Sequence, residues 1–529
     1  MAREIAERWI VQGTLRTMTP LHVGGLGADP DTDLPLARDG AGGWHVPGTS
    51  LAGAFRAWWT RSFGPEETDR LWGKVPTRGG GRWDGWASHI QIEDAPIVVP
   101  GGAPELRDGV GIDRLSGAAA ARIKYDRAML PAGSTLGLAM SIDVAKKQDA
   151  AQAEAMLGHF LDALIAGRIH LGAATNRGLG RLALLHAGED GGPRILRQTL
   201  NQRSGMLEAL RTGGGSKALE ELNRTAATPH PARRLTVELQ WESLGPVMTR
   251  ASLEGLAVDS WPLVGRDGDQ VRLLLSGAGV KGVLRSQAER IVRTVLSRHT
   301  SGDFLAQVKV PLVGSLFGDT GEGNGALASA AGGLLPGRGA LAVADCFSLW
   351  STAPEVFADA VAALDDAGLV ARIDTEGFRG WQPAYHVAVD RWTGGAAESL
   401  LYTVLEPHGV KWQPLRLTLD LQRIPSSQAL AAVALMLLVL NDMAAGKLPL
   451  GFAGNRGMGA IAVKAISVDL SELGDMEADA DIRAVLEPFV GAKPVAGELI
   501  AGLPEVPRHR LAEAWRTWIA AHRVQGGEA

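Results

Sequence analysis

The sequence predicts an α+β protein of two tandem ferredoxin-like domains, each a split βαβ unit carrying hairpin insertions. Three observations carry that prediction. The pattern Asn-Arg-Gly-x-Gly occurs twice, at Asn176 to Gly180 and Asn455 to Gly459, each time between two apolar runs. A series of shorter motifs precedes each copy in the same order. Strand-period and helix-period stretches then alternate in each half as strand, loop, helix, irregular insertion, hairpin, helix, glycine-rich turn, strand. One such signature means little, because glycines gather wherever a backbone takes positive φ or approaches another chain segment closely. Its recurrence in order marks a repeat.

The elements follow in chain order. RWIVQGTLRTMTPLHVGG from Arg8 alternates like a strand and runs into a glycine-rich loop, and RRLTVELQWESLGPVMTR from Arg233 repeats it. DTDLPLARD at Asp31 to Asp39 matches VDSWPLVGRD at Val258 to Asp267, each with an Asp shortly before Pro-Leu. VPGTSLAGAFRAWW and LSGAGVKGVLRSQAERIV come next: Gly48, Gly53 and Arg56 have the spacing of Gly277, Gly282 and Arg285, so a loop feeds a helix in both. LWG at Leu71 is matched by LFG at Leu316. GIDRLSGAAAARIKY then aligns with VAVDRWTGGAAESLLY, which places two of the three tyrosines, Tyr125 and Tyr402, at equivalent positions. Helices are predicted at GAFRAWWTRSF, QAEAMLGHFLDALIAG, KGVLRSQAERIVRTVLS and QALAAVALMLLVLNDMAAG, with LAEAWRTWIAAHRV as a final amphipathic helix on the second domain. These matches set the expected boundaries: a first domain over 1–204, a linker with short helices over 205–233, and a second domain with larger insertions over 234–529.

Composition narrows the function classes. At 529 residues the chain exceeds one core, and two domains of about 200 to 250 residues are expected. Hydrophobic residues at 46% and charged residues at 21% are an ordinary globular balance. The longest apolar runs, such as ALAAVALMLLVL, fall short of the roughly 20 residues of a membrane span, and MAREIAERWIVQG has no signal-peptide pattern, so a cytoplasmic protein with no membrane partner is expected. The single cysteine, Cys346, excludes an intrachain disulfide and a Cys-based zinc site, and its apolar surroundings read as core. The twelve histidines form no His-x-x-x-His pair. A net charge of −5 argues against gripping nucleic acid by bulk electrostatics, while leaving room for a local basic groove. Gly277, Gly279 and Gly282 form a literal G-x-G-x-x-G, but no acidic residue ends a second strand about 20 residues later, against a dinucleotide site. Amides at such a helix start suit a phosphate of an RNA backbone equally well.

The ordered series LHVGG, DLPLARD, VPGTSLAGAFR, IDRLSG and NRGLGRL resembles the RAMP superfamily of CRISPR-associated proteins, most closely the backbone subunits of type III effector complexes. Both halves carry it, so the chain resembles a tandem fusion of two such subunits, as in type III-D systems. The resemblance implies an RRM-like palm with a thumb-like hairpin, polymerised along a CRISPR guide RNA beside other type III effector subunits. It also implies cleavage of complementary target RNA opposite each thumb. The family's nuclease residue is an Asp in the loop after the Gly-Gly stretch, which maps onto Asp33 and Asp259, with Mg²⁺ or a similar divalent cation at each. A carboxylate there suits the chemistry: a splayed nucleotide brings its 2′-hydroxyl in line with the adjacent phosphorus, and the carboxylate holds a cation or takes the hydroxyl proton. The alternative reading of Asp33 is a turn cap beside Pro35.

For guide binding, Gly48, Thr49, Ser50, Arg56, Gly277, Lys281 and Arg285 at the two helix starts are the candidates, together with Arg177 and Arg456. Ala52 replaces the family's usual Lys in the first copy, and Ala278-Gly279 replaces its Ser-Ser in the second. Asp113-Arg114 and Asp390-Arg391 read as intramolecular pairs at the thumb base. Two functional classes remain. One is a backbone subunit that is also a metal-dependent endoribonuclease; the other is a purely structural guide-binding backbone. A guide-processing ribonuclease fits less well, because no His, Tyr and Lys constellation stands out near the glycine loops.

Overall fold

The computed structural model describes residues 4–25, 32–76, 85–146, 148–186, 192–253, 255–319, 337–375, 377–495, 497 and 499–523. The chain forms two compact units. The first is Met1–Leu106, Arg127–Thr175 and Leu179–Ala232; the second is Arg107–Asp126, Asn176–Gly178 and Arg233–Ala529.

In the first unit the strand Ile5–Thr17 alternates as its sequence demands: Trp9, Val11 and Leu15 are buried, while Gln12 and Arg16 face out. It pairs antiparallel with Thr135–Ala145 along one edge. On the other edge it pairs with Arg181–Leu184 and with Arg194–Thr199. Ile90–Ile92 and Ala95–Val98 extend the sheet beyond Thr135–Ala145. Taken in chain order as strands one to four, the central path runs 4-1-3-2, an antiparallel order compatible with a ferredoxin-like unit. Helices Gly48–Phe63 and Ala150–Ile165 supply the apolar layer. Leu51, Phe55 and Trp59, spaced four apart, are wholly buried, and Phe55 meets Phe160 edge-on at 4.9 Å. Asp149 caps the second helix by accepting from the amides of Ala151 and Gln152.

The segment expected as a linker is integral to this unit. Gly215–Lys217 adds a strand to Arg194–Thr199, helix Arg203–Thr212 precedes it, and Arg224 forms a two-pronged ion pair with Asp162 at 2.6 and 2.8 Å.

The second unit is built on the strand Arg234–Ser243, whose Leu235, Val237, Leu239 and Trp241 point inward. It lies between Leu415–Asp420 and Ile461–Asp469, with Leu341–Val343 outside the former, again the order 4-1-3-2. Helix Gly277–Leu296 buries Val280, Leu284, Ala288 and Val292. Helix Ser426–Ala444 has a mean hydropathy of 1.6 and is, by length and composition, able to cross a membrane, which the sequence reading did not anticipate. Here it is the centre of the core: Val433, Leu437 and Leu440 are at most 1% exposed. The terminal helix Glu505–His522 docks on that core through Leu511 and Trp518, and Cys346 is buried as expected.

The last glycine of each Asn-Arg-Gly-x-Gly has a backbone reason. Gly180 and Gly459 both have φ of +81°, and a Cβ would lie 2.0 Å from the Leu171 carbonyl oxygen and 2.5 Å from that of Leu450. Gly180→Ala is therefore expected to destabilise the protein by about 2–3 kcal/mol, read as a lower urea midpoint.

Candidate functional site

The segment from the first strand to the first helix follows one hydrogen-bonding pattern in both units. In the first, Gly25 N donates to Pro35 O, Ala37 N to Val23 O and Ala128 N to Leu34 O. In the second, Ala251 N donates to Trp261 O, Leu263 N to Thr249 O and Leu405 N to Ser260 O. Leu34 and Ser260 also form parallel bridges, to Arg127 and Val404. Asp33 and Asp259 consequently occupy equivalent backbone positions, each exposed and each one residue before the segment that pairs with the root of a hairpin.

The Asp259 carboxylate has a fixed setting. Its Oδ2 accepts from Thr403 N at 2.7 Å and Thr403 Oγ1 at 3.0 Å, while Asp259 N donates to that hydroxyl oxygen. Trp261 beneath it is wholly buried, donates from Nε1 to Val258 O and packs edge-on to Phe357 at 5.8 Å. In the first unit Pro35 takes the register position of Trp261. His22, in the glycine-rich stretch there, is a core histidine: its Nδ1 lies 2.8 Å from Ala128 O, and burial pushes its pKa down.

The hairpins are Glu105–Ile112 with Ala119–Met129, and Trp381–Val389 with Ala396–Pro407. Asp113-Arg114 and Asp390-Arg391 sit at their tips and are not mutually paired, a correction to the expected base position. Each Asp closes the turn. Asp113 accepts from Leu115 N and Ser116 N, and Asp390 from Trp392 N and Thr393 N. These amides, Ser116 and Thr393 foremost, hold both carboxyls below the usual carboxylate range. Gly117 and Gly394 complete the turns at φ of +69° and +70°. The first tip is docked within the second unit. Arg114 Nε lies 2.8 Å from Glu289, Gln307 Nε2 donates to Asp113 at 2.9 Å, and Arg107 pairs with Asp345 at 2.5 Å.

The tyrosine and arginine that recur in each half meet. Arg177 Nη1 donates to Tyr125 Oη at 3.2 Å, and Arg456 Nη1 donates to Tyr402 Oη with its guanidinium 5.1 Å from the Phe452 ring centre. Both arginines remain exposed.

Several of the expected RNA contacts have intramolecular partners. Arg56 pairs with Asp69 at 2.8 Å and donates to Gly73 O, the glycine of LWG; Arg285 pairs with Glu289 at 2.7 Å and donates to Gly318 O, the glycine of LFG. Each arginine thus ties its helix to the end of a later one. Lys281 is buried, with Nζ on Leu341 O at 2.6 Å and Asn176 O at 3.4 Å; burial and then Arg177 and Arg285 push its pKa well down. Gly48 N and Gly277 N donate to Asp94 and Asp345 at 2.6 and 2.7 Å, so a carboxylate of this chain already takes the first helix amide. A Cβ at either position would lie 2.5 Å from Ile92 O or 2.3 Å from Val343 O. Close sheet packing gives these glycines a structural reason. Thr49 is exposed and Ser50 half-buried in the first helical turn.

The expected cation meets a sparse donor set. Among the described residues no three His, Cys, Asp or Glu side chains converge as a metal site. Among the described residues the loops present Asp33 and Asp259, each a single carboxylate that does not by itself make a divalent-cation site; Asp29 and Asp31 lie outside the described residues.

The fold and these loops define an α+β protein with two antiparallel sheets of ferredoxin-like order and long, partly exposed hairpins. Residues 14–183 match the model of the RAMP superfamily, from the first central strand to the strand after the first Asn-Arg-Gly turn. The matched stretch is less than half of the chain and lies in its first half. No curated protein matches the chain.

Proposed function

We propose that this chain is a guide-RNA-binding backbone subunit of a type III CRISPR effector complex, formed by tandem duplication of a RAMP domain, and that it cleaves complementary target RNA at two positions. The observation that carries the reading is the equivalence of the Asp33 and Asp259 frames, each beside the root of a hairpin, together with the family match over 14–183. A hairpin that interrupts a guide:target duplex leaves a nucleotide unpaired next to the loop carboxylate. Splaying aligns the 2′-hydroxyl with the adjacent phosphorus; an aspartate at that place accepts the hydroxyl proton as the 2′-oxygen bonds phosphorus and the bond to the 5′-oxygen breaks, leaving a 2′,3′-cyclic phosphate and, once that oxygen takes a proton from water, a 5′-hydroxyl. At Asp259, Thr403 fixes the carboxylate through Oδ2 and leaves Oδ1 for that role. A divalent cation would add charge stabilisation at the phosphate, and RNA oxygens would have to supply most of its ligands. Thr49, Ser50, Arg177 and Arg456 are the proposed guide contacts on this chain, and the cytoplasm is the proposed compartment.

The Thr403 clamp also favours a second reading at the second loop: an aspartate whose carboxylate is satisfied internally is what a structural turn needs. Cleavage of end-labelled target RNA by the reconstituted complex with Mg²⁺ separates the two. Asp33→Ala and Asp259→Ala are each expected to slow one distinct product by about 100-fold or more. If every product persists in the double variant while guide binding is intact, the chain is a scaffold.

A further inference from the structure

Of the chain's three tyrosines, Tyr125 and Tyr402 are engaged by Arg177 and Arg456. Tyr385 is different: its side chain is 57% exposed on the second hairpin. Its cross-strand partner is Thr403, the residue that clamps Asp259. Direct partners across an antiparallel pair share a face with Cβ atoms about 5 Å apart, so the Tyr385 ring stands on the Thr403 face of the hairpin. Val387 and its partner Leu401, 46% and 64% exposed, continue that face toward the tip. The opposite face is already filled, since His386 stacks on Tyr402 at 5.2 Å.

We propose that Tyr385 is a stacking platform for one unpaired nucleobase of single-stranded RNA, setting the nucleotide whose 2′-hydroxyl meets Asp259. The inference rests on the nuclease reading of that loop and names what positions its substrate. An open aromatic ring with short aliphatic neighbours suits the π-face of any base, and a strand pair is too narrow for a broad protein footprint. Arg250, exposed and bridged to Pro262 beside the Asp259 loop, supplies the positive charge a phosphate needs. The first half has neither feature. Counting back from the turn aspartates places Asp108 at the position of Tyr385, and it pairs with Lys124 at 3.1 Å. The hydrogen-bond register places Gly24 at the position of Arg250. The platform therefore belongs to the second site alone.

The test uses the reconstituted complex and a target RNA carrying 2-aminopurine at the nucleotide next to the Asp259-dependent cut. Tyr385→Ala is expected to slow that product by about 10-fold or more and to abolish quenching of the probe, with the Asp33-dependent product unchanged. Tyr385→Phe and Tyr385→Trp are expected to restore both signals, which a merely structural residue would not require. If Asp259→Ala removes the product while Tyr385→Ala changes neither rate nor quenching, the platform is refuted and the nuclease reading stands. If Asp259→Ala leaves the product intact, the nuclease reading fails, and quenching lost only in Tyr385→Ala would retain the stacking site without its catalytic purpose. Crosslinking of Tyr385 to a protein subunit instead of RNA overturns the proposal.

Discussion

Glu289→Ala is expected to destabilise the protein by about 3–5 kcal/mol, the range for removing one partner of a buried ion pair. The Glu289 carboxylate is wholly buried among three guanidiniums: Arg285 at 2.7 Å, Arg114 at 2.8 Å and Arg293 at 3.5 Å. Those arginine side chains are only 17%, 15% and 12% exposed, so water cannot replace the lost charge cheaply. The carboxylate neutralises like charges that would otherwise repel in a low-dielectric setting. Arg285 would keep its bonds to Gly318 O and Val308 O, while Arg114 would lose its ion pair and keep its bonds to Ile112 O and Gln307. The loss should therefore appear in two measurements. Urea unfolding should show a lower midpoint, and amides of the Asp113–Ala118 turn should exchange faster with deuterium. Glu289→Gln keeps a hydrogen-bond acceptor and is expected to fall between wild type and alanine. A loss below about 1 kcal/mol in the alanine variant would contradict this account, because it would place Glu289 among exposed pairs.

The same cluster shows where sequence reading reached and where it stopped. The four long helices and both central strands were legible because their apolar residues recur at helix or strand spacing over many positions, as in Leu51, Phe55 and Trp59. The match between Asp33 and Asp259 was legible from order alone. The role of Arg56 and Arg285 was not. Their equal spacing after paired glycines is the same signal whether a guanidinium faces a phosphate or the carbonyl at Gly73 or Gly318. Only the path of the chain brings LWG and LFG back to them. The burial of Lys281 was hidden for the same reason: only the fold shows that its amino group meets the carbonyl of Leu341. Tyr385 left no repeat signal, because the first half has no counterpart. Its position opposite Thr403 emerges from strand register, which a two-residue period does not fix between distant segments.

Trp261→Ala is the substitution expected to couple stability to the second site. In the sequence Trp261 stands between Ser260 and the proline that follows the loop aspartate. In the fold it occupies the register of Pro35, and its carbonyl accepts from Ala251 N as that of Pro35 accepts from Gly25 N. A proline restrains its loop through a fixed φ; a tryptophan does so by burying its ring. Truncating a wholly buried Trp to Ala costs about 3–5 kcal/mol, part of it for the cavity left against Phe357. The loop carrying Asp259 would then keep its Thr403 clamp and its backbone bonds but lose the buried ring that seats it. Assayed well below its unfolding temperature, Trp261→Ala is expected to lose the Asp259-dependent product and retain the Asp33-dependent one. Trp261→Phe keeps most of the apolar volume, loses the Nε1 bond to Val258 O, and should cost about 1 kcal/mol with cleavage largely intact. If the alanine variant is destabilised yet cuts normally at both positions, burial of this ring supports the core without positioning Asp259, and the Thr403 clamp alone is sufficient.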